Sequence, residues 1–470
     1  MAPAIHSDQS YGHEVSVATP HKTPVKGNKP YNPQWGFSTQ QLHAGQRRGD
    51  PTTNAKAVPI YLTSSFIFDT QASGADLFDI GKSGGAGSNI YSRIGNPTCE
   101  VFEERIAMLE GGSAAVSTSS GQSAQFMAIS TICESGDNIV TTPYLYGGTH
   151  NQLKVLLSRF GIEARFAASD KPADLEKLID EKTKAVYIES ISNPRWNVPD
   201  IPAIARLAKS YGIVTICDNT FGAGGYLCKP IDLGVDIVVE SATKWIGGHG
   251  TVIAGVVIDG GRFDWGASKR YPSMTEPLEG THGGGNWLGA SLIGKRFWEV
   301  FGNKSFAMRL RFEILKDMGA CLSPFNAFMC LQGLETLSLR VQRTVDNALA
   351  LAQWLESHPK CAWVSYPGLQ SHESHERAKE LLHNGFGGVL SLGVRGDGGK
   401  FTEALQLASH LANVGDARTL VIHPASTTHA ALGDEELQVA GIGKDMLRVS
   451  VGIEDLRDIV DDFRCAFEAI

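Results

Sequence analysis

Lys244 lies in the stretch Ser241-Ala242-Thr243-Lys244-Trp245-Ile246-Gly247-Gly248, directly after the apolar run Val235-Asp236-Ile237-Val238-Val239. A lysine at the end of a buried strand is a reactive amine if it is desolvated, and otherwise an ordinary solvated cation. Asp218 closes a second such run, Gly212-Ile213-Val214-Thr215-Ile216-Cys217-Asp218. Alone, a carboxylate there serves equally as a turn former or helix cap. Together the two residues point to particular chemistry. A carboxylate at a largely apolar sheet edge needs a cationic partner or it takes up a proton. A pyridinium N–H is such a partner, and a nearby amine can form a Schiff base with an aldehyde on the same ring. That combination is the requirement of pyridoxal 5′-phosphate.

The phosphate of such a cofactor needs a cradle. Ser119-Ser120-Gly121-Gln122 precedes an apolar helical stretch, and glycine lets backbone amides approach an anion at a helix N-terminus. The same residues also read as a plain helix start with Ser120 as its cap. Ser241 and Thr243, on either side of Ala242, can add hydroxyl donors to the same anion.

These residues must be positioned by the elements around them. From about residue 37 to 320, short β-rich runs (NIVTT, AVYIES, GIVTICD, VDIVVE) alternate with amphipathic stretches such as DLEKLIDEKT and DIPAIARLAKSYG. Such alternation predicts an α/β domain with mostly parallel strands covered on both faces. Ligands gather at the carboxyl ends of those strands, which places Glu189, Asp218 and Lys244 near one another. Beyond about 330 the pattern changes. LETLSLRVQRTVDNALALAQWLES has the spacing of a long helix, VLSLGV that of a strand, and DLRDIVDDFRCAFEAI that of a closing helix. The expected division is a disordered leader (1–36), an N-terminal arm (37–90), a large cofactor-binding α/β domain (91–320) and a smaller C-terminal α+β domain (321–470). The glycine-rich GKSGGAGSN (81–89) and GTHGGGNWLGASLIG (280–294) are expected to be loops.

Composition narrows the partners. The 470 residues are 42% hydrophobic and 20% charged, ordinary for a soluble protein. A net charge of −8 and the absence of a basic cluster with interleaved aromatics argue against nucleic acid. Eight scattered cysteines without ligand spacing argue against zinc, so no metal is expected. No long apolar window or signal-peptide core is visible, so no membrane is expected and the cytoplasm is the default.

In order, YSRIGNPT, LEGG, SSGQSA, YGGT, ESISNP, DNTF and SATKWIGGHG resemble the motifs of the Cys/Met-metabolism family of pyridoxal-phosphate enzymes, from about residue 37 to the C-terminus. LHAG, NAKAVPIY, SPFNAF, LQGLETLSLR and ANVGDARTLVIHPASTTH are similar to its O-acetylhomoserine sulfhydrylase (homocysteine synthase) branch. The resemblance implies a transferase of fold type I: a large mixed, mostly parallel sheet domain plus the smaller C-terminal domain. It implies Lys244 as the Schiff-base lysine, Asp218 on the pyridinium nitrogen, Asn193 on the ring's phenolic oxygen, and Tyr146 stacked on the ring and available for proton transfer. Gly121, Gln122, Ser241 and Thr243 would hold the phosphate, with Tyr91 and Arg93 reaching that of a neighbouring subunit. The sharing implies a homodimer with shared sites, which the resemblance further implies is assembled into a homotetramer. Arg448 would grip the substrate carboxylate, with Asn413 assisting; no catalytic role falls to His423 or His429. The implied reaction is γ-replacement on O-acetyl-L-homoserine through aldimine, carbanion and vinylglycine-type intermediates, with sulfide giving homocysteine and acetate.

Two segments depart from the family pattern. The loop around 280–296 is longer, with Thr281 before His282-Gly283, and the 81–89 loop is unusual. Both readings of them stand: an entrance reshaped for a carbon or nitrogen nucleophile, or neutral surface insertions. A non-catalytic scaffold is the remaining alternative, and it has no chemical need for Lys244, Asp218, Tyr146 and Arg448 together.

Overall fold

In the computed structural model the β-rich runs pair into one seven-stranded sheet, ordered β1-β7-β6-β5-β4-β2-β3. Its strands are β1 (Ala114–Thr118), β2 (Asn138–Thr141), β3 (Glu163–Phe166), β4 (Thr183–Glu189), β5 (Val214–Asp218), β6 (Ile237–Glu240) and β7 (Gly255–Asp259). β7 runs antiparallel to both β1 and β6, and the pairs from β6 to β3 are parallel. The sheet is therefore mixed and mostly parallel, as the alternating pattern predicts. The structure describes residues 34–46, 49–50, 53–84, 89–279, 288–427, 443 and 445–470. The expectations for the leader to residue 33, for Thr281-His282-Gly283 and for His429 fall outside the described residues.

The body from Gly36 to Ile470 is one compact unit. Helices α1 (Phe37–His43), α2 (Pro97–Glu110), α3 (Gly121–Ile132), α4 (Gly147–Asn151) and α5 (Ile201–Ser210) precede or interleave with the strands. α6 (Pro324–Glu335), α7 (Leu337–Glu356) and α8 (Leu456–Glu468) follow. Alternate side chains of one strand enter two different cores. Val186 and Ile188 of β4 pack with Phe102 and Ile106 of α2 and Ile201 and Ile204 of α5, whereas Ala185 and Tyr187 pack with Met127 and Ala128 of α3. Each such aliphatic side chain contributes about 1.5–3 kcal/mol by leaving water. Two-sided burial is why these strands read as continuous apolar runs.

A second, five-stranded sheet has the order β10-β11-β12-β9-β8. It is built from β8 (Cys361–Ser365), β9 (Val389–Val394), β10 (Ser409–His410), β11 (Leu420–Ile422) and β12 (Met446–Ser450). The short β10 runs parallel to β11, and the other pairs are antiparallel. α7 and α8 cover this sheet through Leu351, Leu355, Ile459 and Phe463.

Several local expectations are corrected. DLEKLIDEKT supplies only the end of a five-residue helix, Pro172–Glu176. Its Asp180 is instead drawn to Asn138 and Arg165, at 2.9 and 2.6 Å, which ends the helix early. The long helix begins at Leu337 rather than Leu334, because Thr336 leaves helical geometry and separates α6 from α7. Gly81–Ser83 belong to a short helix, Ile80–Ser83, not a loop. The two glycine-rich segments, read separately in the sequence, meet where Gly81 lies against Ser291, and the residues just before it bond across: Asp79 accepts the Ser291 N–H at 3.0 Å, and Ile80 N–H donates to Leu288 O at 3.0 Å.

Candidate active site

The carboxyl ends of β4, β5 and β6 open onto a cavity of about 460 Å³. Parallel pairing sets Glu189 opposite Asp218, and Asp218 opposite Val239, two residues before Ser241. Lys244 follows in a turn closed by Lys244 N–H to Ser241 O at 3.1 Å and Gly248 N–H to Lys244 O at 2.7 Å. From the second sheet, β12 brings Arg448, and the segment before β11 brings Asn413. Gly415, at φ +75°, makes that approach feasible: a Cβ there would lie 2.8 Å from the backbone nitrogen of Trp245.

Ten of the twelve residues singled out in the sequence line this cavity: Gly121, Gln122, Tyr146, Asn193, Asp218, Ser241, Thr243, Lys244, Asn413 and Arg448. Tyr91 and Arg93 do not. They stack on each other, the guanidinium 5.6 Å from the ring centroid, and Tyr91 pairs with Ser65 in an isolated bridge.

The electrostatics distinguish these groups from ordinary surface ones. Lys244 Nζ donates to Asn413 Oδ1 at 2.7 Å. Burial, and secondarily the Arg448 guanidinium, lower its pKa to about 8. Arg448 is itself held below its usual range by burial. Among the described residues its guanidinium has no hydrogen-bond or ion-pair partner. Asp218 lies deep but open toward the cavity; burial raises its pKa, against the Thr220 N–H that reaches Oδ1 at 2.9 Å. Two cations and a carboxylate thus share one cavity, each short of partners.

The anion cradle is local geometry. Ser120 caps α3 and its hydroxyl accepts the Ser123 N–H, while helix geometry leaves the Gly121 and Gln122 N–H groups without intrahelical acceptors. A Cβ on Gly121 would sit 2.7 Å from the Ser241 Cβ, so only glycine lets the α3 N-terminus meet the end of β6. The Thr243 hydroxyl exchanges bonds with the Ala254 backbone at 3.0 and 3.1 Å. Of the two hydroxyls beside Lys244, that of Ser241 has no partner among the described residues.

Sequence reasoning gave no role to several residues that hold this set in place. Glu189 takes the Tyr146 N–H on Oε1 at 2.7 Å, while its buried Oε2 has no partner. Burial, then Asp218, push its pKa well up. Thr220 links Asp218 to Ser241, accepting the Ser241 N–H at 2.8 Å. Gln125 accepts from Tyr187 and Thr149 and donates to Gln152, which donates in turn to Gln122 O. Glu189 was visible as the terminal carboxylate of its run; the Thr220 link needs the fold.

The donor set matches the parts of pyridoxal phosphate. It offers an amine for the aldehyde, a carboxylate for the ring nitrogen, and a helix N-terminus with a free hydroxyl for the phosphate. An unpaired guanidinium remains for a carboxylate. The model of the family described as Cys/Met metabolism PLP-dependent enzyme matches residues 38–468. The homocysteine synthase of Schizosaccharomyces pombe is 55% identical over 436 residues, 92% of this chain and 98% of that one. The O-acetyl-L-homoserine sulfhydrylase 1 of Thermus thermophilus is 49% identical over 427 residues, 90% and 97%. A crystal structure of a putative O-acetylhomoserine (thiol)-lyase from Campylobacter jejuni, holding pyridoxyl-lysine phosphate, superposes with a TM-score of 0.84 at 36% identity. It covers 92% of this chain and 100% of that one.

Proposed function

Since the chain belongs to the Cys/Met-metabolism family of PLP-dependent enzymes, we propose that it replaces the γ-substituent of O-acetyl-L-homoserine with sulfide, releasing homocysteine and acetate. The observation that carries this reading is Arg448. It is a part-buried guanidinium without an anion among the described residues, in the same cavity as the depressed amine of Lys244. An α-amino-acid carboxylate supplies the missing charge in a bidentate fork.

When bound, pyridoxal phosphate supplies an aldehyde for amine condensation and a ring that withdraws electrons from the substrate's Cα. The chain's own residues do the rest. Asp218 holds the ring nitrogen's proton, and Gly121, Gln122, Ser241 and Thr243 hold the phosphate, with Asn193 at the ring edge. Arg448 fixes the substrate carboxylate and so orients the Cα–H bond. Lys244, a base with a pKa of about 8, takes the Cα proton and returns it. Asn413 keeps the amine directed into the cavity through its 2.7 Å bond. Tyr146 is half-exposed at the mouth, where it covers the reacting carbons and can pass a proton; Glu189 sets its backbone. Acetate departs from Cγ with its bonding electrons, and hydrosulfide brings a new pair to the same carbon.

The proposal extends to the assembly. Residues 37–90 act as an arm that places Tyr91 and Arg93 on the phosphate of a second copy, in a homodimer paired into a homotetramer. Leu62 and Ile67, 72% and 97% exposed on this arm, support a covered face there. Among the described residues no helix is long and apolar enough to cross a membrane. We place the enzyme in the cytoplasm, acting on small molecules.

The test is product analysis. Protein loaded with pyridoxal phosphate, given O-acetyl-L-homoserine and sulfide, should form homocysteine and acetate by mass. Adducts with aldehydes, keto compounds or amines in place of homocysteine would overturn sulfide as the nucleophile.

A further inference from the structure

We propose that Glu110 and Glu240, which do not line the cavity and lie outside every role above, share a single proton and thereby clamp the loop that presents Asp218 and Thr220. The inference rests on the proposed function only in what that loop presents.

Glu110 is the last residue of α2 and Glu240 the last of β6, and both are fully buried. Each keeps one buried oxygen without a partner, Glu110 Oε2 and Glu240 Oε1, and the two carboxyl groups lie within interacting reach of each other. Two ionised carboxylates offer only acceptors, so a bond between them requires one proton.

The outer oxygens grip residues 219 to 224. Glu110 Oε1 accepts Asn219 Nδ2 at 2.7 Å, and that nitrogen also reaches Cys228 O at 2.9 Å. Glu240 Oε2 accepts the Gly224 N–H at 3.1 Å. Between these two anchors lie Thr220, bonded to both Asp218 and Ser241, and Phe221, whose ring packs 5.1 Å from that of Trp245. The clamp thus stands directly beneath the residues that face the cavity.

The titratable neighbours are Asp218, Asp232, Lys229 and the thiols of Cys217 and Cys228. Lys229, whose amine lies 5.9 Å from the Phe37 ring centroid, is the only cation of this set. Burial holds both glutamates above the ordinary carboxylate range. A proton kept in the folded state and lost on unfolding makes stability fall as pH rises from the unfolded carboxylate range through that of the pair.

Glutamine is a permanent copy of a protonated glutamate, which gives the test its shape. In Glu240→Gln the amide oxygen still accepts from Gly224 and its NH₂ donates to ionised Glu110. Glu110→Gln is the mirror case. In the double variant, amides oriented to keep the outer bonds turn NH₂ against NH₂. Melting of apoprotein from about pH 5.5 to about pH 8.5, and pyridoxal phosphate affinity, are measured for wild type, both singles and the double. Each single should bind the cofactor within about threefold of wild type, and its melting temperature should fall less with pH. The double should bind about tenfold or more weakly and melt below either single.

Singles that unfold, singles with the wild-type pH slope, or a double equal to the sum of its singles would each overturn the shared proton. If wild-type protein captures no pyridoxal phosphate at Lys244, the proposed function fails, while the melting comparison still judges the pair.

Discussion

Two aspartates deep in the protein differ in what surrounds them. Asp462, on α8, uses both oxygens inside the chain: they accept the Gln406 and Ala408 N–H groups at 2.8 and 2.9 Å. Asp218, at the cavity, draws on a single residue among the described ones, Thr220, whose N–H reaches Oδ1 at 2.9 Å and whose side chain adds a second interaction. Two arginines divide in the same way. Arg340 donates to Trp245 O and Gly333 O at 3.0 and 2.7 Å and so ties α7 to the lysine turn. Arg448 has no partner among the described residues. Buried polar groups that are fully paired hold the chain together, whereas those left open lower its stability and stay available to a ligand. In these two pairs the partner count separates the residue that lines the cavity from the one that holds the scaffold.

The comparison is broken most severely at the amine. Lys244→Ala should cost turnover about 10²–10⁴-fold or more, the range for a lost acid–base group, while some cofactor stays bound by non-covalent contacts. Melting of the apoprotein should not fall; retained turnover would remove Lys244 from the reaction. Next comes Arg448→Ala, expected to weaken amino-acid binding by about 2–5 kcal/mol, read as a raised KM, again with no loss of apoprotein stability. An unchanged KM would take Arg448 out of the carboxylate site. The two aspartates give the third contrast. Asp462→Ala should lower stability by about 1–3 kcal/mol, because the buried Ala408 N–H loses its acceptor, and leave kcat alone. Asp218→Asn should leave apoprotein melting equal or higher and abolish turnover. If both aspartates behaved alike, the count of partners would teach nothing about function.

The sequence made one end of this molecule legible and not the other. Strand runs such as VDIVVE and GIVTICD were readable because both faces of their sheet are buried, and their terminal residues therefore pointed to one edge. The residues of the cavity came from run ends and motifs, with roles carried by resemblance. What escaped was relational. Thr220 matters through two bonds to residues that only the parallel register aligns. Glu110 and Glu240 are 130 positions apart and look like ordinary ends of a helix and a strand. The early stop in DLEKLIDEKT depends on Asp180 finding Asn138 and Arg165, contacts absent from helical periodicity. That the two glycine-rich segments touch depends on Asp79 meeting Ser291, again across the fold.

The smallest effect concerns pH, and it tests whether burial or pairing sets the amine. A lysine whose pKa falls from 10.5 to about 8 on folding binds its proton less tightly in the native state. The unfolded chain therefore holds more protons between about 8 and 10.5, and apoprotein stability should rise with pH across that window. Lys244→Met, neutral at every pH, should lack the rise. Covalent capture of pyridoxal phosphate needs the neutral amine, so below about pH 8 its rate should fall about tenfold per pH unit. Asn413 accepts from the amine at 2.7 Å and favours its charged form. Asn413→Ala should accordingly move the midpoint of capture slightly to lower pH. A midpoint near 10.5 in the wild-type protein would show the amine to be solvated and return Lys244 to the class of ordinary surface cations.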